Sequence, residues 1–165
     1  MDIHIFWEGP FSISQLKDLE CEDQDYGIYQ IYGQHAMYGN SVLLYIGQAN
    51  DQTFGKRISQ ENWAYGKDPN NIQIYIGRLA GHQSISGDGW SARITSAEKL
   101  LIYSHQPVYN VSNKNSIPEK MVLSNHILNW GAHRSLFPEI SGKRYTESYD
   151  HISENNIYSA STSKT

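Results

Sequence analysis

Two short runs constrain what this chain can fold into: Tyr26-Gly27-Ile28-Tyr29 and, sixteen residues on from Tyr29, Tyr45-Ile46-Gly47. Both are rich in the β-branched and aromatic residues that suit a pleated, half-buried surface. Gly27 to Gly33 alternates apolar and polar side chains, the period of a half-buried strand. Val42 to Ile46 is apolar throughout and reads as a buried strand. The segment between them, Gln34 to Asn40, is turn-like, because Gly39-Asn40 tolerates positive φ. An antiparallel hairpin is the expectation.

The flanking sequence fills in an α+β pattern. Ile3 to Trp7 reads as a short strand ended by Gly9-Pro10. Ser12 to Leu19 predicts a short helix capped by Ser12 or Ser14, followed by an acidic loop over Glu20 to Asp25. Residues 52–64 look helical, with Phe54, Ile58 and Trp63 facing inward. Ile72 to Leu79 is a third strand and carries a second Tyr75-Ile76-Gly77, with no arginine following at helical spacing. Gly81 to Trp90 is a Gly/Ser-rich loop, and Ser96 to His105 a helix capped by Ser96 and opened by Glu98. Val122 to Trp130 reads as a returning strand, and 151–165 as a flexible Ser/Thr/Asn-rich tail. One domain over 1–150 is expected, with its core at about 26–113.

Composition narrows the class. The chain has 165 residues, enough for one modest core. No apolar run approaches the length of a membrane span. Met1-Asp2-Ile3-His4 lacks the basic start and apolar stretch of a signal peptide, so the expected compartment is cytoplasmic. Cys21 is the only cysteine, so no internal disulfide can form; in an acidic loop it is also a poor nucleophile. Net charge is −4 but unevenly spread. Residues 1–51 hold eight acids against one lysine, whereas 52–120 hold eight basic residues against five acids. The basic excess lies where Arg57, Glu98 and Asn110 are found.

The paired Tyr-Gly-Ile-Tyr and Tyr-Ile-Gly runs resemble the signature of the GIY-YIG nuclease family. Three further matches follow in the family's order: Arg57, twelve residues after Tyr45; Glu98; and Asn110 in Pro107-Val108-Tyr109-Asn110, twelve residues beyond Glu98. The resemblance spans Tyr26 to Asn110, about half the chain. It implies a small three-stranded antiparallel sheet flanked by helices, extended by terminal strands. It also implies a divalent-metal-dependent endonuclease that hydrolyses phosphodiester bonds in DNA.

The implied roles fall on particular residues. Glu98 would hold one Mg²⁺ or Mn²⁺, hard cations that favour oxygen donors and retain waters. Tyr45 would take a proton from the attacking water, with Tyr29 helping to hold that water. Arg57 would grip the scissile phosphate through its planar fork. Asn110 would orient the catalytic helix and the nearby loop. Tyr45, Arg57 and Glu98 are expected to converge on one face of the sheet. Two positions depart from the pattern. Many family members carry a lysine three residues after the second motif's tyrosine, where this chain has Gln48. Many carry His or Tyr four residues after the arginine, where it has Glu61. Lys56 is the nearest cation to stand in for the missing lysine. Gln48 and Lys56 are also candidate substrate contacts, and Tyr65 a substitute for the missing His or Tyr.

These departures keep a second class open, a catalytically silent relative that binds nucleic acid or protein. With no DNA-binding appendage in view, specificity would come from core loops, a protein partner or a homodimer, without a membrane. Other constellations are weaker. His126, His133 and Glu139 match no compact zinc spacing, and Gly33 to Gly39 lacks the Lys-Ser/Thr ending of a phosphate loop.

Overall fold

The computed structural model of the chain describes residues 1–61, 68–80, 88–116 and 118–145. The strands are β1 (Asp2–Phe11), β2 (Gly27–His35), β3 (Gly39–Ala49), β4 (Gln73–Leu79), β5 (His126–Gly131) and β6 (Glu139–Ser141). The α-helices are α1 (Phe54–Ser59), α2 (Asp88–His105) and α3 (Lys120–Leu123), with 3₁₀ turns at Ile13–Leu19, Pro69–Asn71 and Gly142–Tyr145. All six strands form one sheet in the order β3-β2-β4-β1-β5-β6. Every neighbouring pair is antiparallel except β1 and β5, which run parallel.

The class is therefore α+β, but the sheet is mixed and twice as wide as the small antiparallel one expected. The predicted three-stranded unit is present as the half β3-β2-β4. Terminal strands complete it, with β1 inserted between β4 and β5. Val122 to Trp130 does not form one strand. Val122 and Leu123 bury themselves from the short helix α3, and the strand begins only at His126.

Two apolar clusters lie on opposite faces. Leu16, Tyr29, Ile31, Leu44, Phe54, Ile58, Ile74 and Ile76 gather beneath α1 and the first 3₁₀ turn. Ile3, Ile5, Trp7, Ile28, Ile46, Ile94, Leu100 and Leu101 gather beneath α2. β2 is thus buried on both faces rather than half-buried, because it is central and both sides carry a helical layer. Val42 to Ile46, read as a buried strand, lies in the edge strand β3, where Leu44 and Ile46 are buried and Val42, Leu43 and Tyr45 half-buried. Phe54 and Ile58 face inward as expected, while Trp63 lies outside the described residues.

Helix α2 starts eight residues before the predicted cap Ser96, and its Trp90 sits in the core rather than in a loop. Glu98 therefore lies in mid-helix and does not open it. β1 also outruns its expected end, passing Gly9-Pro10 with a register shift against β4.

The glycine of the first motif has a definite physical task. Gly27 adopts φ +147°, and a Cβ there would overlap the Gly77 carbonyl across the β2–β4 ladder. Gly77, in the duplicated Tyr-Ile-Gly run, leaves room for Ile5 and Trp7. The Trp7 indole is buried there and donates to Asn129 Oδ1 at 2.8 Å. The second run is thus a packing feature of the central sheet.

Gly27→Ala combines a disfavoured backbone angle with a main-chain overlap. It should destabilise the chain by about 2–4 kcal/mol. A urea midpoint equal to that of the parent chain would contradict this account.

Candidate active site at the edge of the sheet

The candidate residues meet where β3 ends the sheet. α1 approaches from one face and α2 from the other, as their separate apolar clusters require. Between them a polar cleft of about 300 Å³ is lined by Gln48, Asn50, Asp51, Gln52, Arg57, Gln60 and Glu98. Arg57 and Glu98 line this cleft from different faces of the sheet, and Tyr45 lies within electrostatic reach of both, so the three gather around the strand edge and not on one face.

Ser91, Thr95 and Glu98 are spaced four and three residues apart, so they share one face of α2. Thr95 Oγ1 donates to Gln48 Oε1 at 3.2 Å, and Asn50 Nδ2 donates to Ser91 Oγ at 2.6 Å. These bonds hold the end of β3 against the helix and aim Glu98 into the cleft.

Asn110 clamps the same strand from outside. Its Nδ2 donates to the Ile46 carbonyl at 2.8 Å, and its Oδ1 accepts from the Ile46 amide at 2.9 Å. The Val108 and Tyr109 amides add bonds to the Leu43 and Leu44 carbonyls. Asn110 is therefore a positioning residue.

Tyr29 is fully buried and pairs in register with Gly47. A Cβ on Gly47 would overlap the Tyr29 phenol and press on the Tyr45 ring, which explains the glycine of the second motif. The two rings lie 6.2 Å apart between centroids. The Tyr29 hydroxyl donates to Glu61 Oε1 at 3.2 Å, and the same oxygen meets Arg57 Nη1 at 2.7 Å.

Lys56 is not drawn into this cluster. Successive helix residues point about 100° apart. With Arg57 facing the cleft, Lys56 extends outward to Glu22 at 3.4 Å. The expected stand-in role for Lys56, catalytic or substrate-binding, has no geometric basis here. Tyr65 lies outside the described residues. His126 pairs with Glu139 at 3.0 Å, while His133 Nδ1 is engaged by the Leu136 carbonyl. That trio does not converge.

The site is short of positive charge. Burial, then the charges of Glu61 and Glu98, push the Tyr45 hydroxyl up to about 12, with Arg57 opposing. Burial, then Glu61, drives Tyr29 well above the ordinary phenol range. Burial pushes the Glu98 carboxyl up to about 7, against Arg57 and Lys99 and with help from Glu61. A cation beside Glu98 would oppose the rise at Glu98 and at Tyr45, which Glu98 helps to raise. Among the described residues no three His, Cys, Asp or Glu side chains gather as a metal-ligand group. An ion here would rest on Glu98, neighbouring amide oxygens and water, a donor set that suits Mg²⁺ or Mn²⁺.

Sequence reasoning took Glu61 as a departure that sets an acid beside Arg57, four residues earlier, and the 2.7 Å ion pair bears that out. It missed Asn50, Asp51, Gln52 and Gln60, whose common residue types gave no signal. No family model matches the chain, and neither a characterised protein nor a solved structure matches it.

Asn110→Ala would leave both main-chain groups of Ile46 without their partner. It should cost about 2–4 kcal/mol, measured by chemical denaturation. Glu98 gives a pH signature. The folded chain keeps a proton on Glu98 up to about 7, whereas the unfolded chain releases it above 4.5. The group's contribution to stability is therefore lost as pH rises from 4.5 to 7. Glu98→Gln stays neutral throughout. It should be about 1–3 kcal/mol more stable than the parent at pH 8 and nearly equal at pH 4. A gain of the same size at both pH values would contradict the assignment.

Proposed function

We propose that this chain is a divalent-metal-dependent endonuclease of the GIY-YIG type, acting on phosphodiester bonds in DNA. The observation that carries the reading is that Arg57 and Glu98 line one cleft, from α1 and α2, with Tyr45 of β3 within electrostatic reach of both. Those are the residues that the five ordered sequence matches single out. Asn110 on Ile46 and Tyr29 over Gly47 give the remaining matches positioning roles.

Glu98 and neighbouring amide oxygens would hold the ion. When bound, it supplies Lewis acidity to the phosphate and counter-charge for the leaving 3′ oxygen. Arg57 binds the scissile phosphate through guanidinium N–H groups beyond those Glu61 occupies. The polar cleft presents a phosphate to both groups while excluding apolar ligands. The acidic segment 1–51 opposes DNA binding, so affinity is modest and falls as salt is raised. Specificity would then come from loops, a protein partner or a homodimer.

One observation favours the silent-module reading: the Arg57 guanidinium is already paired with buried Glu61. A plasmid assay separates the two. The nuclease reading expects Mg²⁺- or Mn²⁺-dependent nicking that stops with EDTA and leaves 5′ phosphate ends. Glu98→Gln should lower the nicking rate by at least ~100-fold while the protein stays folded. DNA binding without nicking under any metal would sink the enzyme reading.

A further inference from the structure

The β3 edge that carries the cleft continues to the tip of the β2–β3 hairpin, and its composition is unusual for an acidic chain. Residues 26–50 and 99–118, which build that edge, contain no Asp or Glu, although the chain has 17. At the tip His35 pairs with Gly39, and its Nδ1 accepts from the amides of Met37 and Tyr38 at 3.2 and 3.4 Å. These bonds fix the imidazole. The Tyr38 ring stacks on it, with centroids 4.9 Å apart and planes 23° apart. Tyr109 supports the imidazole at 5.8 Å and is itself tied to β3 by its amide on the Leu44 carbonyl. Tyr38 nonetheless stays 66% exposed, a supported ring that faces solvent.

Beside Tyr38 lies a hollow of about 390 Å³, lined also by Val42, Leu43, His105, Val108 and Lys114. Its apolar wall and single cation match a nucleotide, which is a flat ring carrying a phosphate. Lys114 Nζ donates to the Pro107 carbonyl at 2.7 Å, a neutral partner that leaves its charge for an anion. We propose that this hairpin end of the β3 edge binds an unpaired base of a DNA strand, stacked on Tyr38, with the adjoining phosphate on Lys114. The proposal rests on the nuclease reading for its choice of DNA as the ligand.

A duplex hides the faces of its bases in the stack, so only an unpaired base can offer one to the ring. Phosphate attraction alone is weak on a chain of net charge −4, and stacking adds affinity without demanding a sequence. Val42 at the hollow and Gln48 at the cleft are six residues apart on β3, about 20 Å. One strand lying along this acid-free edge reaches both. The preferred substrate is then DNA that is single-stranded near the cut, as at an overhang, a flap or a gap.

The test is binding by the full chain in EDTA, so that no strand is cut. Fluorescence anisotropy compares three probes of one length: a single strand, the corresponding blunt duplex, and a strand of abasic units. The parent chain should bind the single strand more tightly than either of the others, and ~5-fold or more above the abasic strand. Tyr38→Ala should lower single-strand affinity by ~5–100-fold and leave the abasic strand unchanged, whereas Tyr38→Phe, which keeps the ring, should retain the parent affinity. Lys114→Gln should weaken base-bearing and abasic strands alike and reduce the salt slope by about 0.7. Equal affinity for base-bearing and abasic strands would overturn the proposal, as would a preference for the duplex or a Tyr38→Ala chain that binds like the parent. Circular dichroism checks folding, and if Tyr38→Ala is unfolded, the parent's own discrimination between base-bearing and abasic strands decides. Plasmid nicking by a chain with no such discrimination refutes this subsite alone. Base discrimination through Tyr38 without nicking under any metal refutes the nuclease reading alone.

Discussion

The side-chain amide of Asn110 satisfies both main-chain polar groups of Ile46, and the site's geometry depends on that pair of bonds. β3 ends the sheet, so groups on its outer side have no strand to pair with. Left buried and unpaired, they would carry a full desolvation cost. The carboxamide supplies a donor and an acceptor in the spacing of a peptide. Because Asn110 follows α2 by only a few residues, the same bonds fix that helix along the strand. Tyr45 and Glu98 belong to different faces of the sheet, and this tie sets how far apart they stand.

Electrostatic tension follows from the same layout. Glu98 and Glu61 reach one phenol from two helical layers, with Arg57 to balance them. The usual remedy for such crowding is protonation or a counter-ion. Burial makes either response strong, because little water remains to screen the charges. The cleft is thus electrostatically prepared for a cation or a proton, and less so for a second anion.

Much of this could be read before the fold was known, where the signal was local. The β2–β3 hairpin showed itself through Gly39-Asn40 and flanking strand formers. The capping box at Ser12 and Gln15 sits where a cap was expected, although the turn it starts is 3₁₀. What stayed hidden was set by distant partners. Alternation in β2 could not reveal that its polar positions, Gln30 among them, are buried too, since that depends on α2. The start of α2 at Asp88 follows a Gly/Ser-rich stretch with no cap or period to mark it. The parallel pairing of β5 with β1 left no trace, because nothing local encodes direction. At the site, the ordered motif residues were legible, and so was the place of the second carboxyl, Glu61, beside Arg57. Its engagement with the Tyr29 hydroxyl required the fold.

The insertion of β1 between β4 and β5 has a consequence for how the protein is made. Ile5 pairs with Leu79, and Ile3 with Ile127. β1 therefore acquires its neighbours late, the second only after more than a hundred further residues have followed it. Until then Ile3, Ile5 and Trp7 have no cover. The β2–β3 hairpin, by contrast, can close as soon as it emerges. Assembly would begin at the β3 edge and proceed outward, with β1 among the last strands to lock. Such non-local closure is slow by nature. A nascent or truncated chain ending before His126 would present β1 as a raw edge with apolar side chains, open to pairing with other chains.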